Sequence, residues 1–181
     1  MDNKLDKILA ETKPGKLISN LVDYVTDPDL GGVTNEDLKE APPLVKGVIF
    51  VNAFDLDTST SSVVAWLIEN YDHFPTLANF FDKIGAKSAS RYLRSAYALF
   101  PNGRVIRDQD KRYTFCNEHE EQFVKIDRKF KGASEEAILK LRNYIVSKRK
   151  TFEAQVEKFW QVRKRHFARW NRDLQKLRRR S

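Results

Sequence analysis

Apolar residues recur every three or four positions along most of this chain, and the rhythm breaks at prolines, glycines and short polar clusters. Leu5, Ile8 and Leu9, then Leu17, Leu21, Val22 and Val25, predict two short helices divided at Lys13-Pro14-Gly15. The DPDLGG stretch, Asp27 to Gly32, reads as a linker. Thr34 followed by Asp37 has the form of an N-cap with an acid in the first turn, opening a short helix to about Glu40. Pro42 and Pro43 suit a helix start, where a missing N–H costs nothing, and they place Leu44, Val48, Val51 and Phe54 on one face. VIFVNAF alone would also suit a strand, but it follows the proline start without a turn signal, so the reading is helix.

Asp55 to Ser62 (DLDTSTSS) reads as a polar loop ending in several candidate caps, and Val63 to Asn70 as a buried helix. His73-Phe74-Pro75-Thr76 ends one helix and begins another, in which Leu77, Phe80, Phe81 and Ile84 face inward and Gly85 is the stop. Ser88 to Phe100 carries the next stripe and closes at Pro101-Asn102-Gly103. Beyond a loop through Val105 and Ile106, Asp108 opens a polar segment in which Phe115, His119, Phe123, Ile126 and Phe130 recur at helical spacing until Gly132. From Ser134 onward nothing breaks the pattern. A rod of about 45 residues, roughly 65 Å long, fits, with a bend expected near Ser147 to Thr151.

Charge changes the picture only at the end of this rod. The 181 residues carry a net +8, yet Thr151 to Ser181 alone holds ten Lys and Arg against three acids, leaving 23 basic against 22 acidic residues before it. The tail is also aromatic: Phe152, Val156, Phe159, Phe167, Trp170, Leu174 and Leu177 keep four/three spacing, with Arg163 where another apolar residue would fall. The candidate contact residues are Arg163, Lys164, Arg165, Arg169, Trp170, Arg172, Lys176, Arg178, Arg179 and Arg180. Such a helix suits several roles: packing on its own body or a twin tail, stacking and phosphate contact with nucleic acid, or docking in an acidic protein groove or on an anionic membrane.

Other chemistry is thin. Cys116, the only cysteine, and His119 are three apart but make two metal ligands at most, so no metal or cofactor is expected. Glu118, Glu120, Glu121 and Asp127 read as a solvated acidic face. Asp55, Asp57 and Glu69 are the only carboxylates on which a hydrolase or nuclease reading could rest, and no catalytic motif accompanies them. No apolar run is long enough for a membrane span and no secretory leader is evident, so a cytoplasmic protein is expected.

Four features in order carry a resemblance: the proline-started PPLVKGVIFVNAFDL, SSVVAWLIENYDHFPTLANFFDKIGA, the phrase SAYALFPNG, and DQDKRYTF running on to Ile126-Asp127 and Phe130. Over about residues 42–148 the chain resembles a bacterial family named after DNA mimic protein nineteen. That family usually carries an asparagine- and glycine-rich turn where this chain has Thr58 to Ser62. The resemblance implies a bacterial or phage protein with a helical fold that binds proteins rather than catalysing a reaction. The founding member's acidic imitation of DNA is not carried over, because a near-neutral body with a +7 tail presents a different surface.

The expectation is therefore an all-α, irregular multi-helix bundle with a long basic C-terminal helix. Its parts are a short helical extension (1–41), the family-like domain (42–148) and the basic aromatic helix (149–181). The expected function is non-catalytic binding or regulation through a protein partner or self-association, with nucleic-acid binding through the tail as the alternative.

Overall fold

A computed structural model describes residues 3–60 and 62–178. Among the described residues there are eleven α-helices and no strand. They are α1 (Asn3–Leu9), α2 (Pro14–Thr26), α3 (Asn35–Glu40), α4 (Pro43–Thr60), α5 (Val63–Asn70), α6 (Phe74–Ile84), α7 (Lys87–Tyr97), α8 (Gln109–Glu118), α9 (Glu120–Lys129), α10 (Ala133–Ser147) and α11 (Arg149–Arg178).

The apolar helix α4 is the hub. Pro43 starts it, and α2, α5, α6, α10 and the first half of α11 all pack around it. Phe54, fully buried, meets the rings of Trp66, Phe81 and Tyr92 at 5.9, 5.2 and 5.7 Å between centroids, mostly edge to face. Gly47 is required where α6 crosses, since an added Cβ would lie 2.2 Å from Cζ of Phe80. The core is continuous from end to end: Leu17, Leu21 and Val25 of α2 are as buried as Phe152 and Phe159 of α11.

Several helix ends are satisfied from other helices, which ties distant parts of the chain together. Gln155 of α11 accepts from the backbone N–H of Leu44 at 2.9 Å. Asp127 of α9 accepts from the Val63 N–H at the start of α5 and from the Tyr92 hydroxyl at 2.5 Å. Arg112, 2% exposed, donates to the carbonyls of Ile68, Ile106 and Arg107.

Three boundaries differ from or refine the sequence reading. Asp55 to Thr60 of DLDTSTSS is not a loop, Ser61 lying outside the described residues: α4 runs on to Thr60, and the hydroxyls of Thr58 and Thr60 donate back to the carbonyls of Phe54 and Leu56. The turn is delayed to Ser62, whose hydroxyl caps α5 at the Val64 N–H. The stripe from Phe115 to Phe130 is split into two helices at His119 (φ −114°, ψ 20°), whose ring stacks on Phe115 and whose Nδ1 lies 2.9 Å from the Phe115 carbonyl. The long rod bends inside the expected window, at Lys148 (φ −121°, ψ 27°).

A basic helix held at its middle by an acidic one

The candidate surface lies on α11, whose two halves have different environments. From Phe152 to Val162 its apolar face is buried, and the Trp160 indole donates to the Val25 carbonyl at 3.1 Å. From Lys164 to Arg178 no residue is buried. Phe167, Trp170 and Leu177 are 37%, 57% and 63% exposed, and they continue the same stripe that is core one turn earlier.

Between the halves stands Arg163. The sequence grouped it with the contact residues, but it is 2% exposed and faces inward. Its guanidinium donates to the carbonyls of Asp27, Leu30, Gly31 and Gly32, at 2.6 Å for Gly31, and its Nε lies 3.7 Å from Asp37. An apolar side chain at this point in the stripe would take these donors from the carbonyls of Leu30, Gly31 and Gly32, so a long fork of N–H groups occupies it instead.

Helix α3 is the counterpart. Thr34 and Asp37 form a reciprocal capping box, each side chain accepting from the other's backbone N–H. The carboxyls then reach α11: Asp37 lies 2.7 Å from Nδ1 of His166, Glu40 lies 3.2 Å from its Nε2 and 3.6 Å from Arg165, and Glu36 pairs with Arg169. Burial works against the charge on Asp37. Hydrogen bonds from the Thr34 backbone and His166, with the Arg163 guanidinium beside it, nevertheless hold its carboxyl below the ordinary carboxylate range.

Of the other predicted contacts, Lys164 and Arg172 are exposed, and Lys176 is exposed beside Asp173 at 3.6 Å. Arg178 is exposed, while Arg179 and Arg180 lie outside the described residues. An open groove of about 780 Å³ runs between Leu30–Asp37 and α11, with Phe167, Arg169 and Trp170 on its helical wall. The sequence reading missed His166, Glu36 and Glu40 as parts of this assembly. Their signal was present as acids at 36, 37 and 40 in a short helix, but nothing in the spacing tied them to residues about 130 positions away.

Of the three carboxylates considered for catalysis, Asp57 and Glu69 are near enough to influence each other. Asp57 is pushed above the usual carboxylate range by burial and then by Glu69, and Asn70 donates to it at 3.4 Å. Among the described residues no group of three or more His, Cys, Asp or Glu side chains could hold a metal ion. Cys116 is buried, and burial pushes its thiol up to about 11. Asp127, read as part of a solvated acidic face, is instead engaged at the start of α5.

The order of helices α4 to α10 is the part of the chain that comparison identifies. A family model described as DMP19-like protein matches residues 39–148, more than half of the chain. The chain belongs to this family. The matched segment ends at the bend at Lys148, so α11 lies beyond the family match, as do α1, α2 and most of α3. No curated protein and no solved structure matches the chain. No helix among the described residues is long and apolar enough to cross a membrane.

Proposed function

We propose that this DMP19-like protein is a non-catalytic binding or regulatory protein that works through protein–protein association, with the outer half of α11 as its interaction element. The observation that carries this reading is the exposed run of Phe167, Trp170 and Leu177 on a helix whose first half is locked into the core. Exposed large apolar side chains in one line, rimmed by cations, are the composition of a protein-binding helix face. A helix anchored along half its length presents that face with little ordering cost.

The same helix has less free positive charge than its sequence implies. Of the four cations from Arg163 to Arg169, three are already met by carboxylates of α3. That favours a protein partner over nucleic acid, whose binding rests on unpaired cations that release counterions. Family membership supports association with a protein in the same direction.

The test is a chain shortened after Arg169, which keeps the ion pairs with α3 described above. Photo-crosslinking from position 170 of the full chain should give discrete protein adducts, and partner capture or self-association should be lost in the shortened form. Unchanged capture and unchanged mass in the shortened chain, or crosslinks only to nuclease-sensitive material, would sink the proposal.

A further inference from the structure

A second concave surface lies where α6 crosses α4. On α4, Lys46, Gly47 and Phe50 fall at helical spacing, and on α6 Thr76, Phe80 and Lys83 do the same, so each helix contributes one face to a shared cleft. Gly47 has no Cβ, and the Phe80 ring therefore settles onto α4, where an added Cβ would lie 2.2 Å from its Cζ. The buried rings of Phe80 and Phe50 then floor an open cleft of about 330 Å³. His73 backs that floor, stacked on Phe50 with 4.6 Å between ring centroids.

Around the apolar floor stand hydrogen-bond donors and no carboxylate. Lys46, Lys83 and the Thr76 hydroxyl line the cleft, and none of the lining residues is Asp or Glu. Asn79, also at the rim, gives its Oδ1 to Arg94 at 3.2 Å, which leaves its amide N–H groups as donors. The acids next in sequence are committed elsewhere: Asp82 meets Arg94 at 2.8 Å, and Glu40 meets Arg165 and His166. Among the described residues neither lysine is paired with a carboxylate. Lys83 lies 6.0 Å from the centroid of the Tyr144 ring, a contact that leaves its charge unneutralised. Burial holds the His73 imidazole below its usual range, with Asp72 opposing and Lys46 adding to the fall, so at neutral pH the ring backs the cleft uncharged.

We propose that this cleft binds a small organic acid, a single carboxylate on a short apolar or aromatic body. The body rests on Phe50 and Phe80, and the carboxylate takes Lys46 and Lys83, with Thr76 and Asn79 as neutral donors. A volume near the lower end for ligand sites suits one ring or a short branched chain. Helical walls offer a peptide's main chain no strand edge to pair with, which selects a free acid over an extended chain. The cleft lies within the family-matched segment and takes no residue from α11, so it is separate from the association surface proposed above.

The full chain, isotope-labelled for amide chemical shifts, is titrated with phenylpropanoate. Parallel arms use phenylpropanamide, acetate, and a blocked tripeptide ending in a free phenylalanine carboxylate. Phenylpropanoate should saturate below about 1 mM, with shifts concentrated at Lys46, Gly47, Asn79 and Phe80. The amide, which lacks the charge, and acetate, which lacks the body, should each bind about tenfold or more weakly. The paired change Lys46→Gln with Lys83→Gln keeps the side-chain stems and removes both charges. It should weaken phenylpropanoate about tenfold or more and leave the affinity for the amide unchanged, with an amide spectrum that otherwise matches the parent.

No saturable binding, equal binding of the amide or acetate, shifts centred on Phe167 and Trp170, or tighter binding of the tripeptide each overturns the inference. So does an undiminished affinity for phenylpropanoate in the paired variant.

Discussion

At the scale of single residues, the described chain spends two buried arginines on backbone. Arg112 and Arg163 are each 2% exposed; Arg112 collects the Ile68 carbonyl in the last turn of α5 and two from the loop before α8, and Arg163 collects those of Leu30, Gly31 and Gly32. Removing Arg163 leaves the Leu30, Gly31 and Gly32 carbonyls without its N–H groups and takes away the cation 3.7 Å from Asp37, which keeps its contacts with Thr34 and His166. Arg163→Ala should therefore cost about 1–3 kcal/mol, as for buried acceptors left without donors, read as a lower urea midpoint at constant slope. The sequence showed only that Arg163 interrupts an apolar line; its turn inward depends on carbonyls 131 to 136 residues away. Asp37 gives a second prediction, in pH. Its folded carboxyl titrates below the unfolded value of 3.8, so its contribution to stability is complete above about pH 4 and is lost as pH falls through the lower folded value. Urea midpoints at pH 7 and at successively lower pH should show Asp37→Asn clearly less stable than the parent at pH 7, with the deficit shrinking as pH falls below about 4. An equal deficit across that range would show that the carboxylate charge is not what matters there.

At the scale of elements, local signals were legible and their tertiary exceptions were not. Proline starts, the Gly85 stop and the Thr34–Asp37 box sit within a few residues of what they control, and the helices begin or end where they indicate. DLDTSTSS was misread because hydroxyls that favour turns also bond back to the preceding helical turn, and Phe54 in the core keeps α4 wound. The division at His119 was hidden because the apolar spacing stays helical across it. Helix α3 has only six residues, too few to be stable alone, so it depends on its cap and on α11. Thr34→Ala should cost about 1 kcal/mol globally. It should also raise amide exchange in α3 well above that in α4. Gly47→Ala should be destabilising by about 1–2 kcal/mol in thermal melts, despite the better helix propensity of alanine, because Phe80 must move.

At the scale of the molecule, the charge asymmetry in the sequence is real but partly resolved internally. The family-like segment, its N-terminal helices and the first half of α11 share one core. A chain reduced to residues 42–148 loses Leu17, Leu21 and Val25 from beneath α4 and α10, together with Phe152 and Phe159. It is expected to keep helical circular dichroism but to melt without a cooperative transition, whereas the chain shortened after Arg169 should melt close to the full one. All-α architecture and a long final helix were readable from periodicity. The candidate surface was half readable: composition gave the helix and its cations, but only the fold separates Arg163, spent on the interior, from Arg172 and Lys176, left outside. The contacts of α11 with the first forty residues bear also on how the molecule is made. Arg149 meets Asp6 and Trp160 meets Val25 across separations of 143 and 135 residues. In a chain emerging from the ribosome amino end first, Glu36, Asp37 and Glu40 wait for Arg165, His166 and Arg169, which are translated about 130 residues later. The final helix therefore closes the protein as a clasp, and a nascent chain halted at Lys148 leaves the acidic α3 and the underside of α2 and α4 uncovered until synthesis resumes.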